Sequence, residues 1–147
     1  MALQFTYGKL AFEEVRTFLL ETDVEFPTPL SAHVDIDAYA RKLSEFSDFS
    51  LCRDGEEIVG MISCYTNRPP LGYMTNACVK KRYQAQRVFS KLFRQLCVHA
   101  REQGILRLQL EVDANNDNAR RVYGHYGFRE LEFRPGTGKY LMELNLG

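Results

Sequence analysis

The chain has 147 residues, of which 45% are hydrophobic, with 19 basic side chains balanced by 19 acidic ones and four cysteines. That make-up fits one globular domain, 1–147, with enough core to need no disulfide or metal staple, and it excludes disordered and fibrous classes. No run approaches the ~18 apolar residues of a membrane span. A neutral chain without a nucleic-acid signature is also not expected to bind nucleic acid.

The N-terminus, MALQFTYGKLAFEEVRTFLL, has no basic stretch followed by an apolar one, so no secretory signal is read there and the expected compartment is cytoplasmic. Leu3–Tyr7 alternates weakly and reads as an opening strand. Ala11–Thr22 places Phe12, Val15, Phe18 and Leu19 on one helical face. Phe26-Pro-Thr-Pro-Leu is a loop, because the prolines exclude a helix. Asp35–Phe46 is a second amphipathic helix. The strands Phe49–Arg53 and Ile58–Thr66 flank the turn Asp54-Gly-Glu-Glu. After a turn at Arg68–Gly72 comes a strand, Tyr73–Val79. The longest helix, Val88–Gln103, carries Val88, Phe89, Leu92, Phe93, Leu96, Cys97 and Ala100 as its apolar stripe, with Gly104 at its C-terminal stop. Leu106–Val112 alternates strictly, Leu106, Leu108, Leu110 and Val112 against Arg107, Gln109 and Glu111. Asn118–His125 is a short helix, and Phe128–Phe133 and Lys139–Leu144 close the chain as strands. The predicted fold class is α/β, a sandwich around a mixed sheet.

Charge is segregated along this order. Residues 1–57 carry 5 basic and 12 acidic side chains, 58–101 carry 8 basic and none acidic, and the remainder carries 6 and 7. The pattern suggests a polyanionic ligand at the middle and a cationic one beside it; solvated faces are the alternative. The cysteines and histidines are scattered without ligand spacing, so no metal site is expected.

The strand Tyr73–Val79 runs through Lys80-Lys-Arg-Tyr-Gln-Ala-Gln-Arg87 into the long helix. A helix start presents free backbone N–H groups and a positive dipole end, a place for phosphate, and Lys80, Lys81, Arg82, Arg87 and Lys91 are expected around it. The segment Val79 to Phe93 resembles the cofactor loop of the GNAT acyltransferases, V-x-P-x-Y-R-G-x-G-x-G/A. Leu110-Glu-Val112, Asn116, Ala119, Tyr123 and Gly127-Phe128 are similar, position for position, to the second GNAT signature. Glu56-Glu-Ile-Val-Gly60 resembles the family's strand entry.

The resemblance implies a GNAT-type α/β sandwich with a mostly antiparallel central sheet flanked by helices. It implies an N-acetyltransferase that uses acetyl-CoA and acts on a primary amine, either a small molecule or a peptide N-terminus. A homodimer is a frequent arrangement in that family. Carried over by residue, Gln84, Ala85, Gln86, Arg87, Val88 and Phe89 would hold the pyrophosphate, and Ala77, Cys78 and Val79 would meet the acetyl-pantetheine arm through their backbones. Here Ala85, Arg87 and Phe89 replace small residues of the motif, and an Arg at the central glycine either blocks the loop or turns onto the phosphates. Tyr123 stands where the family places the acid that protonates the departing sulfur, and Glu111 where similar enzymes carry the base. A carboxyl near ~4.3 suits that role only if burial raises it or water relays. Asn116 either bonds the cofactor or caps the next helix. Thr75, Asn76, Tyr65 and Asn67 are acceptor contacts by position, and the loop Phe26–Ser31 would wall the site. The competing reading is a GNAT-like module that binds CoA, another phosphorylated ligand or a protein without turnover.

Overall fold

In the computed structural model of the chain, residues 2–25 and 29–147 are described. The elements follow as β1 (Leu3–Gly8), α1 (Phe12–Asp23), α2 (Ile36–Phe46), β2 (Asp48–Asp54), β3 (Glu57–Arg68), β4 (Leu71–Val79), α3 (Val88–Glu102), β5 (Arg107–Asp113), α4 (Asp117–His125), β6 (Arg129–Arg134) and β7 (Lys139–Asn145). Two 3-10 turns, Leu30–Ala32 and Lys81–Gln86, precede α2 and α3. The order agrees with that expected from hydrophobic periodicity.

The strands form one seven-stranded sheet, β1-β2-β3-β4-β5-β7-β6, antiparallel everywhere except between β4 and β5. Its middle strands are covered on both faces, so they read as apolar runs rather than as alternation. Along β3, Ile58 and Met61 face one cluster while Val59, Ile62 and Cys64 face the other. The first cluster contains Val15, Phe18 and Leu19 of α1 with Ala40 and Leu43 of α2. The second holds the expected α3 stripe, Val88, Leu92, Phe93, Leu96, Cys97 and Ala100.

Gly60 sets how closely α3 lies on the sheet. A Cβ there would stand 2.9 Å from Leu92 Cδ1 and 3.0 Å from Val88 Cγ1, so α3 can reach its depth only over a glycine. At the other end of α3, the Ile105 amide donates to the Ala100 carbonyl and the Gly104 amide to that of Arg101, with Gly104 at φ +85°. This is the Schellman closure that Gly104 signals in the sequence.

Two expectations shift. The turn at 68–72 is tighter, since Arg68 pairs directly with Leu71 across Pro69-Pro70. Leu106 lies before β5 and is 51% exposed, because its amide and that of Arg107 both bond to the Pro70 carbonyl. Leu108, Leu110 and Val112 are buried as the alternation requires.

Candidate active site

The parallel contact between β4 and β5 is short. Leu71, Gly72 and Tyr73 pair with Arg107, Leu108 and Gln109, and no pairing follows. Two local features account for the separation. Gly72 permits the initial approach, since a Cβ there would stand 2.9 Å from Leu108 Cδ2. Farther on, the β3–β4 register slips between Ser63–Asn76 and Cys64–Met74, leaving Thr75 as an extra residue; such a bulge bends its strand and breaks the ladder locally. β4 then follows β3, β5 follows β7, and a wedge opens between Thr75–Val79 and Leu110–Asp113.

The wedge has two mouths that meet at Ala77. One, of roughly 430 Å³, is lined by Thr75, Asn76, Glu111, Asp113, Tyr123 and Lys139, with Leu30 and His33 at its rim. The other, of roughly 310 Å³, runs along Ala77, Cys78 and Val79 past Gln84 and Phe89 to Asn118 and Val122 of α4. A small floor cavity of about 50 Å³ lies between Asn76, Glu111 and Tyr123. The expected wall, Phe26–Ser31, falls partly outside the described residues: Phe26, Pro27 and Thr28 do, while Leu30 lines the first mouth.

At the second mouth, the loop that the sequence places on phosphate has a distinct backbone. Lys81–Gln86 forms a 3-10 turn, and Arg87 then adopts φ +58°, ψ +27°, the left-handed conformation that favours glycine. The residue that departs from the glycine-rich motif therefore keeps the backbone bend of a glycine. α3 begins directly after it without a side-chain cap, which leaves the amides of its first turn without side-chain partners. Arg87 is exposed and makes no ion pair or side-chain hydrogen bond among the described residues. Holding a non-glycine residue left-handed costs roughly 1–2 kcal/mol, part of which the stiffer unfolded chain returns. Arg87→Gly is thus expected to stabilise the fold by about 0.5 kcal/mol, read from the urea midpoint. A loss of stability would mean that the Arg87 side chain holds the loop.

Phe89 does not obstruct the loop. Its ring packs 5.5 Å from that of Tyr126 and 6.3 Å from those of Phe93 and Tyr123, in the aromatic layer between α3 and α4. Val88 is fully buried in the core, so its amide alone can face a ligand. The Gln84 side-chain amide donates to the Val79 carbonyl at 2.9 Å, tying the loop back onto β4. Ala85 and Gln86 are exposed at the mouth.

The five expected cations are not gathered around phosphate. The Lys80 ammonium is buried between Glu21 and Glu57, at 2.7 and 2.9 Å, and Arg82 pairs with Glu57 as well. Lys91 points toward β1, 5.6 Å from the Phe5 ring. Lys81 and Arg87 remain. The acidic third of the sequence answers the basic middle directly: Glu21 and Glu57 hold Lys80, Glu57 holds Arg82, and Glu25 accepts the Lys81 amide. Among the described residues, none of the acids in 1–57 lines the wedge. Tertiary neutralisation, rather than two oppositely charged ligands, accounts for much of the segregation.

At the first mouth Tyr123 stands on α4 with its ring edge-on to Phe128, 5.5 Å between centroids. Its hydroxyl has no hydrogen-bond partner among the described residues, and burial pushes the phenol up to about 12. Glu111, half-buried on β5, accepts a hydrogen bond from the Tyr73 hydroxyl at 3.0 Å and one from Arg134 Nη1 at 2.7 Å. Burial acts to raise its carboxyl, but the bonds from Arg134 and Tyr73 and the nearby Arg134 and Lys139 charges outweigh that and hold it below the usual glutamate range. The burial-raised base imagined from the sequence is therefore not what stands here. Asn76 Oδ1 is buried without a partner at the floor. Asn116 caps α4, accepting the Ala119 amide at 3.1 Å, which is the local of its two expected roles. Thr75 lines the mouth and is held by the Tyr39 hydroxyl at 2.7 Å, whereas Tyr65 packs against the α1–α2 cluster and Asn67 lies at the exposed end of β3.

Sequence reasoning missed Tyr73, Arg134, His33 and Lys139. Nothing local marks them, because strand divergence and the two-strand reach of Arg134 place them here. No group of three or more His, Cys, Asp or Glu side chains that could hold a metal occurs among the described residues. No helix among them is long and apolar enough to cross a membrane.

A mixed sheet parted at its one parallel pair, with a left-handed loop and an uncapped helix start at one mouth and a free tyrosine at the other, is the architecture of an acyl-CoA-dependent acetyltransferase. The sequence model of the Acetyltransferase (GNAT) family matches residues 12–128, and the chain belongs to that family. The family's members use acetyl-CoA. Among solved structures, a GNAT-family protein from Desulfovibrio desulfuricans superposes with a TM-score of 0.80 at 17% identity, over 99% of this chain and all of that one. The ribosomal-protein-S18-alanine N-acetyltransferase of Escherichia coli gives 0.77 at 18% identity over 98% of this chain and 95% of that one. The PaiA N-acetyltransferase of Thermoplasma acidophilum, in complex with coenzyme A, gives 0.75 at 16% over 99% of each. At these identities the likeness establishes the fold alone. A comparison with curated proteins finds no match.

Proposed function

We propose that the protein is an acetyl-CoA-dependent N-acetyltransferase in which a primary amine attacks acetyl-CoA directly in a ternary complex. The observation that carries this reading is the two-mouthed wedge meeting at Ala77, with Tyr123 on its side and Glu111 opposite. The residues present fit the cosubstrate. The backbone at Ala77, Cys78 and Val79 lies along the second mouth, the loop Gln84–Phe89 keeps its left-handed turn, and the Phe89 ring lines that mouth from the aromatic layer between α3 and α4. The uncapped amides of α3, with Arg87 and Lys81, would receive the phosphates, and Asn116 stays at the rim as a cap. Acetyl-CoA supplies the activated thioester.

The amine has to arrive neutral, because a carboxylate held below its usual range cannot strip an ammonium near ~10.4. Its nitrogen bonds to the carbonyl carbon, and the N–H protons then become far more acidic, so that Glu111, through water, is a sufficient acceptor. The carbon–sulfur bond breaks, the departing sulfur takes a hydrogen bond from the Tyr123 hydroxyl as charge develops, and solvent supplies the proton that completes the thiol. The acceptor is a small-molecule amine or a peptide N-terminus. Glu111 and Asp113 at the first mouth are matched by Arg134 and Lys139, so the case for a polycation drawn from the acidic N-terminal third lapses.

Calorimetric titration with acetyl-CoA, with ATP as a control for generic phosphate attraction, tests the cosubstrate. Thiol release over a panel of amines then tests transfer. Saturable binding that ATP does not match, followed by amine-dependent release rising with pH as the amine loses its proton, is the expected result. Binding without release from any amine would favour a non-catalytic CoA-binding module, the reading that the changed loop residues Ala85, Arg87 and Phe89 support. No binding at millimolar acetyl-CoA would remove both.

A further inference from the structure

The ion pair behind Glu111 has a geometry that holding the sheet together does not require. Arg134 belongs to the edge strand β6, whose neighbour is β7; there Arg134 stands opposite Lys139, and Lys139 opposite Asp113 of β5. The guanidinium nevertheless reaches over β7 to Glu111 on β5, at 2.7 Å, and leaves its own strand neighbour Glu132 at 3.9 Å. Tyr73 arrives from the opposite side, from β4, at 3.0 Å. Each Glu111 oxygen thus accepts one donor, which fixes the rotation of the carboxylate and leaves further lone pairs on both oxygens for an incoming N–H.

We infer that Arg134, with the Tyr73 hydroxyl, is the positioning residue of the acceptor half: it holds Glu111 as a fixed anion in one orientation, so that amine docking depends on a side chain of the edge strand. The inference rests on the acetyltransferase reading above. The groups around Glu111 leave the task to Arg134. Lys139 on β7 adds its charge to the surroundings of Glu111 but makes no ion pair or hydrogen bond with it among the described residues, Tyr123 on α4 is neutral, Tyr39 on α2 is engaged with Thr75, and His33 belongs to the rim at the Leu30–Ala32 turn. A long, 41% exposed arginine pays side-chain entropy to stay in one place. It does so against a carboxylate only 22% exposed, which without a cation would be a half-buried, unpaired charge.

The test compares wild type, Arg134→Gln and Arg134→Lys with the best amine of the panel. With Arg134→Gln, KM for the amine should rise about tenfold at neutral pH, while KM for acetyl-CoA stays the same. Below the pH where the amine's own protonation gives kcat/KM a slope of one, loss of the Glu111 charge adds a second proton. That steeper region should begin at a higher pH in Arg134→Gln, because the arginine's hydrogen bond and charge hold the Glu111 carboxyl down. Arg134→Lys keeps the charge without the fork and should restore the pH profile more fully than KM. A folded Arg134→Gln protein with unchanged amine KM and profile, beside an active wild type, would overturn the inference and leave the acetyltransferase reading standing. A wild type that neither binds acetyl-CoA nor releases thiol would overturn both.

Discussion

Tyr123→Phe is expected to slow turnover by about ten- to a hundredfold and to leave acetyl-CoA affinity and stability nearly unchanged. The hydroxyl makes no hydrogen bond among the described residues, so its removal strands no partner. The ring, which packs against Phe89 and Phe128, stays in place. What disappears is a donor at the wedge. Burial holds the phenol protonated, up to about 12, so the proton is available throughout the neutral range. Complete transfer to a thiolate whose acid is near ~8.5 would be uphill, and this is why the expected effect lies at the low end for general acids. The hydroxyl lowers the barrier chiefly by bonding the sulfur as charge develops. The same high value predicts no alkaline loss of activity below about pH 10. The check is stopped-flow thiol release with acetyl-CoA affinity measured separately by calorimetry. An unchanged rate under conditions where chemistry limits would remove Tyr123 from the mechanism.

The layers of the fold were legible because they follow from periodicity. The α3 stripe, the double-sided run of β3, the Gly104 stop and the strict alternation of Leu108, Leu110 and Val112 are one-dimensional consequences of three-dimensional burial. The β4–Arg87 loop, Tyr123 and Glu111 were singled out by the resemblance, and the structure brings Tyr123 and Glu111 to one wedge. The state of Glu111 was not. Whether a strand carboxylate is raised or lowered depends on what crosses to it, and Arg134 crosses from two strands away. The partners of Lys80 were equally hidden. Its sequence neighbours, Lys81 and Arg82, suggest a phosphate cradle, yet Glu21 lies 59 residues away and Glu57 23 residues away. A charge block in a sequence fixes composition and leaves pairing open. The bulge at Thr75, on which the wedge depends, also has no local mark, since it arises from the mismatch between the β3 and β4 registers.

Lys80→Met should lower stability by about 2 kcal/mol and weaken acetyl-CoA binding through the loop rather than through lost charge at phosphate. Lys80 follows β4 directly, and its amide bonds to the Val59 carbonyl. Its side chain, 8% exposed, joins Glu21 of α1 to Glu57 at the start of β3. It therefore anchors the point from which the 3-10 turn and Arg87 depart. Methionine keeps an apolar stem and removes the ammonium, which stands 5.8 Å from the centre of the Phe18 ring. Removing one member of a fully buried pair costs about 3–5 kcal/mol, but Glu21 and Glu57 retain contact with water and Glu57 keeps Arg82, which lowers the figure. The pH dependence identifies the cause. The Glu57 carboxyl is held below its ordinary range, first by the Lys80 hydrogen bond and further by the Lys80 and Arg82 charges, against burial. A carboxylate depressed in the folded state contributes stability that is present above its unfolded value and is lost as pH falls through the folded one. The Lys80 ammonium, which burial lowers and its two carboxylates raise by more, stays charged across that window. The gap between wild type and Lys80→Met in urea midpoint should therefore be widest near pH 7 and should close toward pH 3. A gap that persists at pH 3 would mean that packing of the stem, rather than the ion pair, fixes the loop.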